Sequence, residues 1–153
     1  MRSIIIYFSH SGKTEKIAKR LLKDTGSDII SVKPKKDYGN YVMSVIRAVK
    51  DKLMRIRPEF VNSIPDLSGY DTVFVGYPIW CSSVPDLLLA FLRKCDLSGK
   101  TVIPFSTSGM TSISSSLVRL KEVCRGSTIR YPYNYSKRSR DDYKEWTSRF
   151  IKG

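Results

Sequence analysis

The stretch Ser3-Ile4-Ile5-Ile6-Tyr7-Phe8-Ser9-His10-Ser11-Gly12-Lys13-Thr14-Glu15-Lys16-Ile17-Ala18-Lys19-Arg20-Leu21-Leu22 decides the fold. Ser3 to Phe8 is an unbroken apolar and β-branched run, the pattern of a strand covered on both faces in a parallel sheet. A polar turn, Ser9 to Thr14, follows it. From Glu15 to Lys23, Ile17, Ala18, Leu21 and Leu22 recur at helical spacing with basic residues between them. Strand, tight polar turn and amphipathic helix in that order open a βα unit.

The alternation continues along the chain. The pattern predicts a strand near Asp28 to Val32, a helix from about Tyr41 to Leu53, a strand at Thr72 to Val75 and a helix from Pro85 to Arg93. A strand at Thr101 to Phe105, a helix near Ser112 to Val123, a short strand near Thr128 to Arg130 and a helix from about Asp141 to Ile151 follow. Pro85, just after Ser82 and Ser83, suits a helix start, and Asp141 with Asp142 suits the entry to the last helix. Five strands separated by helices imply one α/β domain over residues 1–153, a doubly wound parallel sheet with helices on both faces.

The 153 residues are enough for one core and bury roughly 70% of the unfolded surface. The longest apolar runs, Ile4 to Phe8 and Leu87 to Leu92, are too short to span a bilayer, and Met1 leads directly into a strand. A cytoplasmic protein without a transmembrane segment is expected. Cys81, Cys95 and Cys124 show no metal-ligand or C-x-x-C spacing and read as reduced thiols. With His10 the single histidine, no metal site is expected.

The formal charge is +13, from 27 Lys and Arg against 14 Asp and Glu. It is concentrated: Lys33 to Arg57 holds eight basic residues against two acidic, and Arg119 to Arg140 holds seven against one. Such a surface attracts anions over a long range, so an acidic or anionic partner is expected. It also admits a nucleic-acid-binding or interaction module, but no recognised nucleic-acid motif accompanies it. Tyr38 and Tyr41, beside the first basic segment, read as loop packing.

In open parallel sheets ligands lie beyond the carboxyl ends of the strands, where strand order reverses. The loop there after strand one, Ser9 to Thr14, combines hydroxyls, a glycine and free N–H groups at a helix start, which suits a phosphate. An N-capping turn is the plain alternative. Gly12-Lys13-Thr14 does not complete a triphosphate loop, because the first glycine of G-x-x-x-x-G-K-[ST] would fall on Tyr7 inside the strand. The loop after strand three reads Gly76-Tyr77-Pro78-Ile79-Trp80-Cys81-Ser82-Ser83-Val84-Pro85, with a large aromatic on the turn. The loop after strand four, Ser106-Thr107-Ser108-Gly109-Met110, leaves backbone groups available to a flat ring.

These three loops resemble those of the flavodoxin family. S-x-S-G-K-T is similar to its phosphate loop, and G-Y-P-I-W with P-F-S-T-S-G is similar to the two loops that hold the flavin ring. The resemblance covers nearly the whole chain and is nearest to the short branch that carries G-Y-P-I-W. It implies a flavodoxin-like sheet in the order 2-1-3-4-5 and FMN as cofactor. Ser9, His10, Ser11, Gly12, Lys13 and Thr14 would hold the phosphate, His10 through its backbone. Pro78, Ile79 and Trp80 would meet the ring on one side, with Cys81 next to them, and Thr107, Ser108 and Gly109 would close on it from another. Cys81 stands where relatives often carry a second tryptophan, and Met110-Thr111-Ser112 where they are often richer in glycine.

The implied function is transfer of electrons or hydride to a small acceptor or a partner protein, as a reductase using NAD(P)H and a quinone-like acceptor or as an electron carrier. The chemistry is the flavin's, and no side chain is expected to be catalytic. In the family, a loop peptide beside the ring rearranges during one-electron work, which a glycine eases. Trp80 to Ser83 contains none, so two-electron steps are expected.

Overall fold

The computed structural model describes residues 2–35, 46, 50, 58–137 and 140–152. The helix expected over Tyr41 to Leu53 lies outside them apart from Ile46 and Lys50, as do Tyr38 and Tyr41. The first βα unit forms as its pattern requires, with β1 at Ser3–Tyr7 fully buried and α1 at Lys13–Thr25 burying Thr14, Ile17, Ala18 and Leu21. Gly26 ends α1 in the left-handed conformation at φ 65°, its N–H donating to the Leu22 carbonyl.

The remaining elements are β2 (Asp28–Ser31), β3 (Thr72–Pro78), α2 (Asp86–Arg93), β4 (Thr101–Ser108), α3 (Ser114–Val123), β5 (Thr128–Ile129), β6 (Tyr133–Ser136) and α4 (Tyr143–Ser148). All pairings are parallel, in the order β2-β1-β3-β4-β5, with β6 also on β4. Order reverses at β1, so the loops after β1 and β3 face each other at the carboxyl edge.

The expected five strands become six because the fifth is broken. β5 pairs with Thr101 and Val102 of β4, and β6 pairs with Phe105 to Ser108. Between the two contacts stands Pro104. The Arg130 N–H donates to the Val102 carbonyl at 2.9 Å, so even-numbered residues of β4 point their backbone groups toward this edge. Pro104 offers no donor there, and the ladder lapses. The chain crosses the gap through Tyr131, at φ 51°, and Pro132.

Two apolar layers sandwich the sheet. Ile4, Ile6, Phe8, Val73, Val75 and Tyr77 pack on one face with Leu88, Leu92, Leu120 and Cys124 of the α2 and α3 side. On the other, Ile5, Tyr7, Phe74, Ile103 and Phe105 meet Ile17, Ala18 and Leu21 of α1 and Tyr143 and Trp146 of α4. Each such fully buried aliphatic or aromatic side chain is worth about 1.5–3 kcal/mol. Gly76 is fixed by the second layer, since a Cβ there would run into the Phe105 ring.

Candidate functional site

The turn between β1 and α1 is opened by Gly12, which caps the helix at φ 87°. That left-handed residue before the helix turns successive N–H groups to one side, an anion-binding concavity. The Glu15 N–H is taken by the Ser9 hydroxyl at 3.2 Å and the Lys16 N–H by the Gly12 carbonyl at 3.1 Å. The N–H groups of Ser11, Gly12, Lys13 and Thr14 find no acceptor among the described residues. Four consecutive donors at a helix N-terminus are therefore left for something else.

Beneath this turn the buried Thr14 hydroxyl meets the buried Thr107 hydroxyl at 2.9 Å, tying α1 to the end of β4. The Ile79 N–H donates to the Thr107 carbonyl at 2.9 Å, which ties the third loop to the fourth. All three loops are thus joined through Thr107. From β6, Asn134 holds the fourth loop: its Oδ1 accepts from Ser106 at 2.9 Å and lies 3.2 Å from the Ser108 hydroxyl, and its Nδ2 donates to the Thr111 carbonyl at 3.2 Å.

Above these bonds opens a cleft of about 400 Å³, lined by Ser11, Lys13, Pro78, Ile79, Trp80, Thr107, Ser108, Gly109, Tyr135 and Lys137. Eight of the thirteen residues expected from sequence are among them. Ser9 and Thr14 lie behind the lining, their side chains engaged as above. His10 stands with its ring 6.1 Å from that of Trp80, and Gly12 shapes the turn. The ten lining residues carry two cations and no carboxylate. Tyr135 and Lys137 were not expected, because β6 was not. The signal was the alternation Tyr131, Tyr133, Tyr135, which suits a strand with aromatics on one face.

The third loop closes as a two-residue hairpin. Trp80 and Ser83 exchange backbone hydrogen bonds at 3.0 and 2.9 Å, and the residues between them, Cys81 and Ser82, sit at φ 50° and 58°. Positive φ at both central positions is a type I′ turn, usually built with glycine or asparagine. Here two ordinary side chains carry it, and strain is stored beside the cleft. Turning over the peptide between them would give the II′ form, which calls for glycine at the position of Cys81. Trp80 is only 6% exposed and packs edge-on against Phe8 at 5.4 Å, so most of its indole belongs to the core and an edge reaches the cleft.

Cys81 is exposed, Cys95 half-buried and Cys124 buried. Burial pushes the Cys95 thiol up to about 11 and the Cys124 thiol up to about 12. Among the described residues no group of three or more His, Cys, Asp and Glu comes together, and no helix is long and apolar enough to cross a membrane.

A family model described as flavodoxin matches residues 2–150, nearly the whole chain. The chain belongs to the flavodoxin family. Among solved structures, this flavodoxin is similar to a protein from Bacteroides uniformis assigned as a flavoprotein, with 28% identity, a TM-score of 0.84 and coverage of 96% of this chain and 97% of that one. A Lactobacillus acidophilus flavoprotein in complex with FMN shares the fold at 19% identity and a TM-score of 0.75, covering 95% and 98%. An NADH:FMN oxidoreductase does so at 19% identity and 0.56, covering 97% and 86%. Comparison with curated proteins gives no match.

Proposed function

We propose that this flavodoxin holds FMN with its phosphate at Ser9 to Thr14 and its ring in the cleft between Pro78–Trp80 and Thr107–Gly109, and passes electrons or hydride to a small acceptor or partner protein. The observation that carries the reading is the row of four unclaimed N–H groups at the start of α1, at the edge of a cleft with two lysines and no carboxylate. The residues fit the group: the N–H groups donate to the phosphate, Lys13 and Lys137 raise the local positive potential, and Pro78, Ile79 and Trp80 exclude water from the ring. Bound FMN supplies the redox chemistry, which no side chain of the cleft provides.

A structural neighbour is an NADH:FMN oxidoreductase, which supports a reductase drawing on NAD(P)H with a quinone-like acceptor. The Trp80–Ser83 turn, whose rearrangement is resisted at Cys81, supports mainly two-electron work. The +13 charge supports an acidic or anionic partner.

The test is reconstitution of flavin-free protein, followed by absorbance and flavin fluorescence. FMN is expected to bind, and riboflavin about 100-fold or more weakly, because several charge-assisted bonds to phosphate are lost. Equal affinity for the two would remove the phosphate assignment. Protein that stays colourless under all conditions would leave the basic interaction module as the reading.

A further inference from the structure

A second cleft, of about 320 Å³, lies between α1 and the β6–α4 edge. Lys13, Lys16 and Arg20 line it from α1 at three- and four-residue spacings, hence from one helix face, and Lys137 lines it from the end of β6. Asp141 is its one carboxylate, and that group is spent on Arg20 at 3.4 Å, whose guanidinium also lies 3.8 Å over the Tyr143 ring. Lys13, Lys16 and Lys137 have no carboxylate within 4 Å among the described residues. Two of these three stand in the first turn of α1, where the helix dipole disfavours cations unless an anion joins them.

An FMN phosphate in the Ser9–Thr14 turn draws on Lys13 and Lys137, which line the flavin cleft, and not on Lys16, which lines the second cleft alone, about 4.5 Å further along α1 at a rise of about 1.5 Å per residue. The second cleft thus offers a place for a further anionic group. The cleft is also partly apolar, with Ile17, Tyr133 and Tyr143 in its lining, so its occupant combines phosphate with a flat, less polar part. It shares Lys13, Tyr135 and Lys137 with the flavin cleft, so one molecule can reach over that common wall.

We infer that the second cleft holds the adenosine-phosphate end of a reduced nicotinamide dinucleotide, with preference for the form that bears the additional 2′-phosphate. The inference rests on the FMN reading above, since it is the flavin cleft that the nicotinamide end would enter. Lys16, which does not line the flavin cleft, together with Lys13 and Lys137 on the wall common to both clefts, favours the more highly charged dinucleotide, and the concave, tyrosine-lined floor favours a nucleoside over a bare anion.

The experiment is calorimetric titration of the FMN-loaded protein with adenosine 2′,5′-bisphosphate, adenosine and inorganic phosphate. The bisphosphate is expected to bind, the other two to bind far more weakly. Lys16→Glu should weaken the bisphosphate by about tenfold or more, because it reverses a charge at the site, while FMN affinity is retained. Lys121→Glu on α3, at the opposite face of the sheet, changes the net charge equally and should leave bisphosphate affinity intact. In turnover, K16E should raise the KM for NADPH at unchanged kcat and erase its advantage over NADH. Equal bisphosphate affinity in K16E and wild type would overturn the inference, as would inorganic phosphate that binds as tightly as the bisphosphate. A wild type that takes up no FMN sinks the proposed function instead. In that event the bisphosphate titration of the flavin-free protein still supports or refutes the nucleotide subsite by the same comparison.

Discussion

Replacing Thr14 and Thr107 by valine, singly and together, tests the bond that joins the loops of the site. The two hydroxyls meet at 2.9 Å, 93 residues apart in sequence, and the residues are 1% and 6% exposed. Neither side-chain hydroxyl has another partner among the described residues. Thr14→Val leaves the Thr107 hydroxyl buried and unpaired, and Thr107→Val does the converse, so each should cost about 1–3 kcal/mol. The double variant removes both polar groups and replaces them with methyls of similar size, so it should fall close to wild type. With an urea m-value of roughly 2 kcal/mol/M, each single variant should lower the midpoint by about 0.5–1.5 M and the double variant by little. Urea unfolding of flavin-free protein measures this at constant m. If the losses of the single variants simply add in the double, the hydroxyls are not paired and the account of how the three loops are held together fails.

Gly76→Ala forces a methyl into the Phe105 ring and should destabilise by about 1–3 kcal/mol, seen as a lower melting temperature. Cys81→Asn with Ser82→Gly supplies the residues that a type I′ turn prefers and should raise stability by about 1 kcal/mol, or roughly 2–4 °C in melting temperature. In native protein at pH 8 iodoacetamide should modify Cys81 alone, and all three cysteines once the chain is unfolded. A mass spectrum showing early modification of Cys124 would contradict its burial. Because folding raises the Cys95 and Cys124 thiols to about 11 and 12, the native state holds protons that the unfolded state releases from about pH 9. Their contribution is complete below that pH and is lost as pH rises through 11 and 12, so denaturation midpoints should decline on the alkaline side and recover part of that loss in Cys124→Ala at matched temperature. Gly12→Val should abolish FMN retention through the backbone, since position 12 needs φ 87° while an added Cβ meets no protein atom within 4 Å.

Much of the fold was legible because β1, β3 and β4 are buried on both faces and can only be apolar runs, while α1 carries its apolar stripe at a fixed period. The turn from Ser9 to Thr14 stood out for a related reason: a glycine with flanking hydroxyls between strand and helix marks a helix start, and Gly12 does cap α1. The broken fifth strand was harder to see. Pro104 lies in a run that otherwise reads as a central strand, and only the direction of its missing N–H decides which neighbour suffers. Tyr135 and Lys137 followed from that miss. The I′ turn was hidden for the opposite reason, since Cys81 and Ser82 are not residues that announce positive φ, and the surrounding structure imposes it on them. The final helix is shorter than its pattern, Tyr143–Ser148 against Asp141 to Ile151, because Arg149 and Phe150 continue only in tight i,i+3 contacts.

The gap at Pro104 also sets the order in which the molecule comes apart. β6 has four residues, one neighbouring strand and no continuous backbone ladder to β5, so its release leaves the first apolar layer intact and touches the second only at Tyr133 and the partly buried Tyr135. Under native conditions its amides should exchange with deuterium ahead of those of β1 and β3, through a local opening that leaves the rest folded. That same strand is the wall common to both clefts. A ligand held against it has to suppress the opening, so occupancy of the site can be read as slowed exchange at Tyr133 to Ser136, with no flavin signal needed.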